Sequence, residues 1–135
     1  MTLETTKQSL EKWHHMIQTG DMSSLNELLA DDVVFRSPVA YKPYEGKHVV
    51  FFILTNVIQV FQDFTYHREF YTEDGENVVL EFSANVSGKS LKGIDMIRFN
   101  EQGKIIDFEV MIRPMSGLAA LAEQMGARFA QYKSN

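Results

Sequence analysis

From Leu3 onward, Leu10, Trp13, Met16 and Ile17 recur at helical spacing while Lys7, Gln8, Glu11, Lys12 and Gln18 occupy other faces, which predicts an amphipathic first helix. Gly20 is placed to end it. Ser24-Leu25-Asn26-Glu27 has the spacing of a capping box and opens a short helix through Leu28 and Leu29, closed by Asp31-Asp32. Val33 to Ser37 reads as a short strand stopped by Pro38, and Tyr41 to Gly46 as an ordered loop rich in ring side chains. Lys47 to Gln62 is rich in Val, Ile and Phe, but its polar residues His48, Thr55, Gln59 and Gln62 fall on one stripe, so it reads as a mostly buried helix.

Beyond Asp63 the period changes. Thr65 to Glu73 leads into the turn Asp74-Gly75-Glu76-Asn77, after which Val78, Leu80, Phe82, Ala84 and Val86 alternate with Val79, Glu81, Ser83, Asn85 and Ser87. Gly88-Lys89-Ser90 turns into a strand over 91–100, and Glu101-Gln102-Gly103-Lys104 into one over 105–113, giving a four-strand antiparallel meander. After Pro114, Leu118, Leu121, Met125, Phe129 and Tyr132 form the apolar stripe of a last helix. The order of elements is that of an α+β fold, with helices packed on one curved antiparallel sheet.

The chain has 135 residues, 44% of them hydrophobic, which is one domain's worth of core and rules out disorder. Residues 1–135 are therefore read as a single domain. Its 13 Lys and Arg stand against 18 Asp and Glu without a basic cluster, which argues against nucleic acid and anionic membranes as partners. The absence of cysteine excludes disulfides, thiolate nucleophiles and iron–sulfur clusters. No secretory core opens the chain and the longest apolar run is interrupted by Thr55, Asn56 and Gln59, so a cytoplasmic protein is expected.

Several short motifs, in this order, carry a resemblance. They are Gly20-Asp21, Leu29-Ala30-Asp31-Asp32-Val33, Ser37-Pro38-Val39, Gly46 before a helix, and Asp95-Met96-Ile97-Arg98-Phe99-Asn100 followed by Gly103-Lys104-Ile105. The chain closely resembles the nuclear-transport-factor-2-like superfamily, and within it the SnoaL-like and ketosteroid-isomerase-like branch. The resemblance implies a cone of curved sheet around an apolar pocket, with N-terminal helices over the concave face, and a homodimer formed through the sheet's outer face. In ketosteroid isomerases a carboxylate base precedes the Pro-Val after the first strand, where this chain has Ser37, which cannot shuttle a proton at neutral pH. The family's Tyr donor on the first helix matches Trp13, whose indole donates but is no acid. The family's neutral carboxylic acid matches Asp95, in phase with Ile97 and Phe99 on its strand.

A carboxyl on such a face has its pKa raised by burial and, when protonated, donates to a ligand oxygen. The plainer alternative ties Asp95 to a Tyr, Trp or backbone group in a polar corner. Tyr41 and Tyr44 either line the pocket mouth or simply cover the loop. The rest of the expected pocket wall is Leu80, Phe82, Ala84 and Val86 on one strand, Ile97 and Phe99 on the next, and Phe108, Val110 and Ile112 on the last. His67 shares a phase with Glu69 and Tyr71, while Tyr66 and Phe70, on the opposite phase, look more like pocket residues. His14 and His15 diverge by about 100° on a helix and no metal-ligand spacing occurs, so neither a metal nor a cofactor is expected. Arg113 suits a carboxylate clamp at the mouth or a surface ion pair.

Three functions are compatible with this pattern. One is a module that binds a small, largely apolar ligand in an internal pocket. Another is an isomerase, dehydratase or epoxide-hydrolase-type enzyme using Asp95 as acid or hydrogen-bond donor, assisted by Trp13, Ser37 or a Tyr. The third is an interaction module that uses the dimer surface.

Overall fold

The computed structural model describes residues 3–134, with side chains through Gln131. Helix α1 (Leu3–Thr19) buries Thr6, Leu10, Trp13 and Met16, the stripe its period predicts. It ends where Gly20 takes a φ of 76° and returns its N–H to the Met16 carbonyl. A single turn, α2 (Leu25–Leu28), leads directly into β1 (Leu29–Arg36). The sequence placed Leu29 in the helix and let Asp31-Asp32 close it. Leu29 instead pairs with Ile105 in the sheet and is fully buried, and the two Asp side chains lie exposed along the strand.

The short strand β2 (Tyr44–Glu45) pairs with β1 inside the segment expected to be loop, and α3 (Lys47–Val60) follows. Strands β3 (Gln62–Tyr71), β4 (Asn77–Val86), β5 (Lys89–Phe99) and β6 (Ile105–Arg113) form the antiparallel meander, and α4 (Met115–Ser134) completes the order. Tyr132 of the apolar stripe lies outside the described side chains. The sheet order is β2-β1-β6-β5-β4-β3, and β1 runs parallel to β6, so the sheet is mixed rather than wholly antiparallel. The long connection permits this parallel pairing: β2, α3 and strands β3 to β5 intervene between β1 and β6.

Two α1 hydroxyls tie the helix across the ends of the sheet. Thr6 Oγ1 donates to the Gly75 carbonyl and Ser9 Oγ to that of Gly103, each at 2.6 Å. Both turn glycines have φ of 77°, and a Cβ on Gly75 would stand 2.8 Å from the Leu3 Cα. Glycine there meets two needs at once, the turn conformation and the close approach of α1.

Between the helices and the concave face of the sheet lies the main core, with Trp13, Phe35, Leu80, Ile97, Ile105 and Phe108 at its centre. A second cluster of Phe82, Ala84, Val86 and Leu91 is covered by Leu121 and Met125 of α4. Helix α4 approaches the sheet closely because Gly117 carries no side chain: a Cβ there would lie 2.7 Å from Leu91 Cβ. No described helix is long and apolar enough to cross a membrane.

Candidate functional site

On β5 the alternation places Asp95 inward between Leu80 of β4 and Val110 of β6, where the residue is 5% exposed. Its carboxyl borders a small cavity of about 40 Å³. Trp13 from α1, Leu54, Val57 and Ile58 from α3, and Leu121 from α4 close that cavity on the helix side. The sheet side is aromatic. Phe64 stacks on Phe82 with centroids 5.0 Å apart, Phe61 meets both rings, and Tyr66 stands edge-on to Phe64 at 4.9 Å. The Phe82 ring can lie flat there because residue 93, opposite it on β5, is glycine: a Cβ at Gly93 would stand 2.8 Å from Phe82 Cζ.

Asp95 is held by one neighbour. The Tyr66 hydroxyl donates to Asp95 Oδ2 at 2.7 Å and accepts from Trp13 Nε1 at 2.9 Å. Among the described residues no hydrogen bond to Oδ1 is made, and Asp95 is the polar member of an otherwise largely apolar cavity wall. Desolvation pushes the Asp95 pKa up to about 7, against the smaller opposing effect of the Tyr66 hydrogen bond, which favours the ionised form. Burial foremost, and then the adjacent Asp95 charge, raise Tyr66 well above the ordinary phenol range, so it remains a donor.

The polar corner and the apolar cavity, posed as alternatives for Asp95, are both present. Its carboxyl has an internal partner and borders the cavity. Trp13 is brought beside Asp95, but its single N–H is committed to Tyr66 and does not point a free donor at the cavity. Ser37 lies beyond Pro38, in the wall of a second cavity of about 50 Å³, and its Oγ accepts the Val39 N–H. Tyr44 lines that second cavity too, whereas Tyr41 is fully exposed and lines neither. Loop position alone did not separate the two: Tyr44 is fixed inward by its pairing with Phe35.

Of the expected wall, Phe82, Phe108 and Val110 border the Asp95 cavity. Leu80, Ile97 and Phe99 are buried in the main core, and Ala84 and Val86 in the second cluster, and none of the five borders either cavity. Ile112 packs partly against that cluster, near the end of β6. Phe70, expected inward with Tyr66, is 54% exposed. A β-bulge is the reason: His67 and Arg68 together oppose Glu81 between the pairs Tyr66–Phe82 and Glu69–Leu80, so the alternation changes phase. Glu69 thereby comes inward to His14, 2.6 Å away, and His67 meets Ser83 on the other face. Arg113 is exposed on the outer face rather than at the cavity.

Tyr66 is the site residue that sequence reasoning undervalued. Its phase marked it as inward, but only the fold shows that it joins Trp13 to Asp95. The α3 contribution was equally hidden, since a buried helix shows no polar stripe that distinguishes a cavity wall from core. Among the described residues no three His, Asp or Glu side chains converge as a metal site would require.

Comparisons with known proteins agree with this fold. A steroid delta-isomerase from Pseudomonas aeruginosa is 55% identical over 97% of this chain and 96% of its own, with a TM-score of 0.94. An uncharacterized bacterial protein with a cystatin-like fold from Silicibacter pomeroyi is 36% identical over 93% of this chain and 92% of its own, with a TM-score of 0.81. A nuclear-transport-factor-2-like protein of unknown function from Mesorhizobium loti, 18% identical over 82% of this chain and 93% of its own, shares the fold with a TM-score of 0.72. Among curated proteins no sequence matches. The profile of the SnoaL-like domain matches residues 10–108, from the first buried leucine of α1 to the Phe108 ring behind Trp13. The chain therefore belongs to the SnoaL-like family of the nuclear-transport-factor-2-like superfamily.

Proposed function

We propose that the protein binds a small, largely apolar molecule in the cavity beside Asp95 and catalyses an isomerase-type proton transfer on it. The observation that carries this reading is the Asp95 carboxyl: buried, poised near pH 7, tethered through Oδ2 to Tyr66 and set in the wall of an apolar cavity. Near neutrality such a group is present in both protonation states, as a proton shuttle requires. Among the described residues it is the only carboxyl bordering either cavity, so a single group does both halves of the transfer. In the step envisaged, ionised Asp95 takes a proton from a carbon next to a carbonyl, the electron pair moves onto the carbonyl, and the same proton returns to a carbon further along as the double bond shifts. No cofactor enters. Apolar walls raise the carboxylate's basicity by excluding water from it.

The 55% identical steroid delta-isomerase makes a steroid with an unconjugated enone the first substrate to test. Appearance of the conjugated product's ultraviolet absorbance, lost in Asp95→Asn, is the expected outcome. Saturable steroid binding without turnover would replace this reading with that of a ligand-holding module. Ser37 favours that second reading, since its hydroxyl stands where ketosteroid isomerases carry a base.

We also propose that the chain works as a homodimer in the cytosol. Phe70, Met96 and Met111 are exposed on the outer face of the sheet, around Glu81, which Arg68 grips at 2.6 Å and Lys92 at 3.1 Å. An apolar surface around a neutralised carboxylate suits burial against a second copy.

A further inference from the structure

The two cavities have four residues in common, Phe35, Pro38, Val57 and Leu121. They are thus two halves of one apolar space, with Asp95 in the wall of one and Ser37 and Tyr44 in the wall of the other. At about 40 and 50 Å³, each half is far smaller than the roughly 300–1,000 Å³ of an ordinary ligand site. An organic molecule anchored at Asp95 must open the partition or stop short of it.

The four residues of the partition are not equally able to give way. Phe35 packs its ring, tilted by 32°, against Phe108 at 5.9 Å, and the Pro38 ring restricts its own backbone. Leu121 is the contribution of α4, a helix added after the sheet is complete, and its side chain is 3% exposed. Resting on the reading of Asp95 as the anchor, we propose that Leu121 is the specificity-determining residue of the site. Its isobutyl group sets how far a bound molecule extends from Asp95 toward Ser37 and Tyr44. The ligand class this fits is an elongated apolar molecule with an oxygen function at the Asp95 end and room for a second at the other.

The test is calorimetric binding of phenol and of 4-phenylphenol, one ring and two, to the full chain and to Leu121→Ala. The two-ring probe is expected to bind Leu121→Ala about tenfold more tightly than wild type, and phenol to change by less than about twofold, because only the longer probe reaches the space released. Equal changes for both probes, or none, would overturn the assignment. Val57→Ala removes the facing part of the partition and is expected to act in the same direction, which keeps the test decisive if Leu121→Ala does not fold. Asp95→Asn in the same assay separates the two readings. If it leaves both affinities unchanged while the length-dependent gain persists, the Asp95 anchor fails and the role of Leu121 stands. If it weakens both probes and the gain is absent, the role of Leu121 fails alone.

Discussion

The Trp13 indole N–H stands 2.9 Å from the Tyr66 hydroxyl oxygen, and this contact fixes where the Tyr66 proton goes. Indole nitrogen only donates, so the phenol oxygen must accept from it, and the phenol's own hydrogen is left for Asp95 Oδ2 at 2.7 Å. The relay therefore has one direction. It supports the ionised carboxylate from one side while burial disfavours it, and the balance holds Asp95 near neutrality.

Replacing Tyr66 by Phe removes the hydrogen bond that favours ionised Asp95 and leaves desolvation unopposed. The Asp95 pKa should rise above about 7, read from carboxyl carbon shifts in a pH titration. The same variant strands the buried Trp13 N–H, which should cost about 1–3 kcal/mol of stability. An Asp95 pKa that stays in place would show that Tyr66 does not support the charge.

Asp95 also makes stability depend on pH. Its folded pKa lies above the ordinary 3.8, so the folded state holds the proton more tightly. The resulting stabilisation is full below about pH 4 and is lost as the pH rises through 7. Asp95→Asn lacks this loss. Relative to wild type it should gain stability steadily between those limits, by a total on the order of 4 kcal/mol, and level off above them. Urea unfolding of both proteins at pH 5 and pH 8 measures the difference, and a constant offset would show that Asp95 is not desolvated.

Periodicity carried most of the fold because each element buries one face. The alternation of Val78 to Val86 and the stripe of Leu10, Trp13 and Met16 are core contacts written at the period of their element. What the sequence concealed depends on phase and on neighbours. The bulge at His67 and Arg68 turns Phe70 outward and Glu69 inward, and nothing in the local residue types announces it. Leu29 is a good helix former that sheet pairing with Ile105 overrides. Asp95 stood out as a carboxyl on an apolar face. Its partner Tyr66 lies 29 positions away on a non-adjacent strand, a relation that only the folded sheet creates.

The outer face offers a separate test. Met111 is 45% exposed there and lies opposite Ile94 on β5. If this face joins two copies, Met111→Glu buries a charge at the contact and should weaken dimerisation at least about tenfold in sedimentation equilibrium. The monomer's own unfolding should change little, since the side chain is exposed in it. A wild type that sediments as a monomer at high concentration would remove the proposal.

Gly117→Ala sets two effects of opposite sign against each other. Alanine is the better helix former by roughly 1 kcal/mol, so an unopposed substitution in α4 would stabilise the protein. The new Cβ, however, falls 2.7 Å from Leu91 Cβ and 3.0 Å from the Ser90 carbonyl oxygen, both in a paired sheet strand that cannot move aside cheaply. The helix must yield instead. Leu121, one turn further on the same face, is carried with it and withdraws from the partition between the two cavities. We expect a net loss of about 1–3 kcal/mol, with faster amide exchange over residues 118–125 than in the rest of α4's surroundings. A gain in stability would show that α4 rides on the sheet loosely enough to absorb a methyl group.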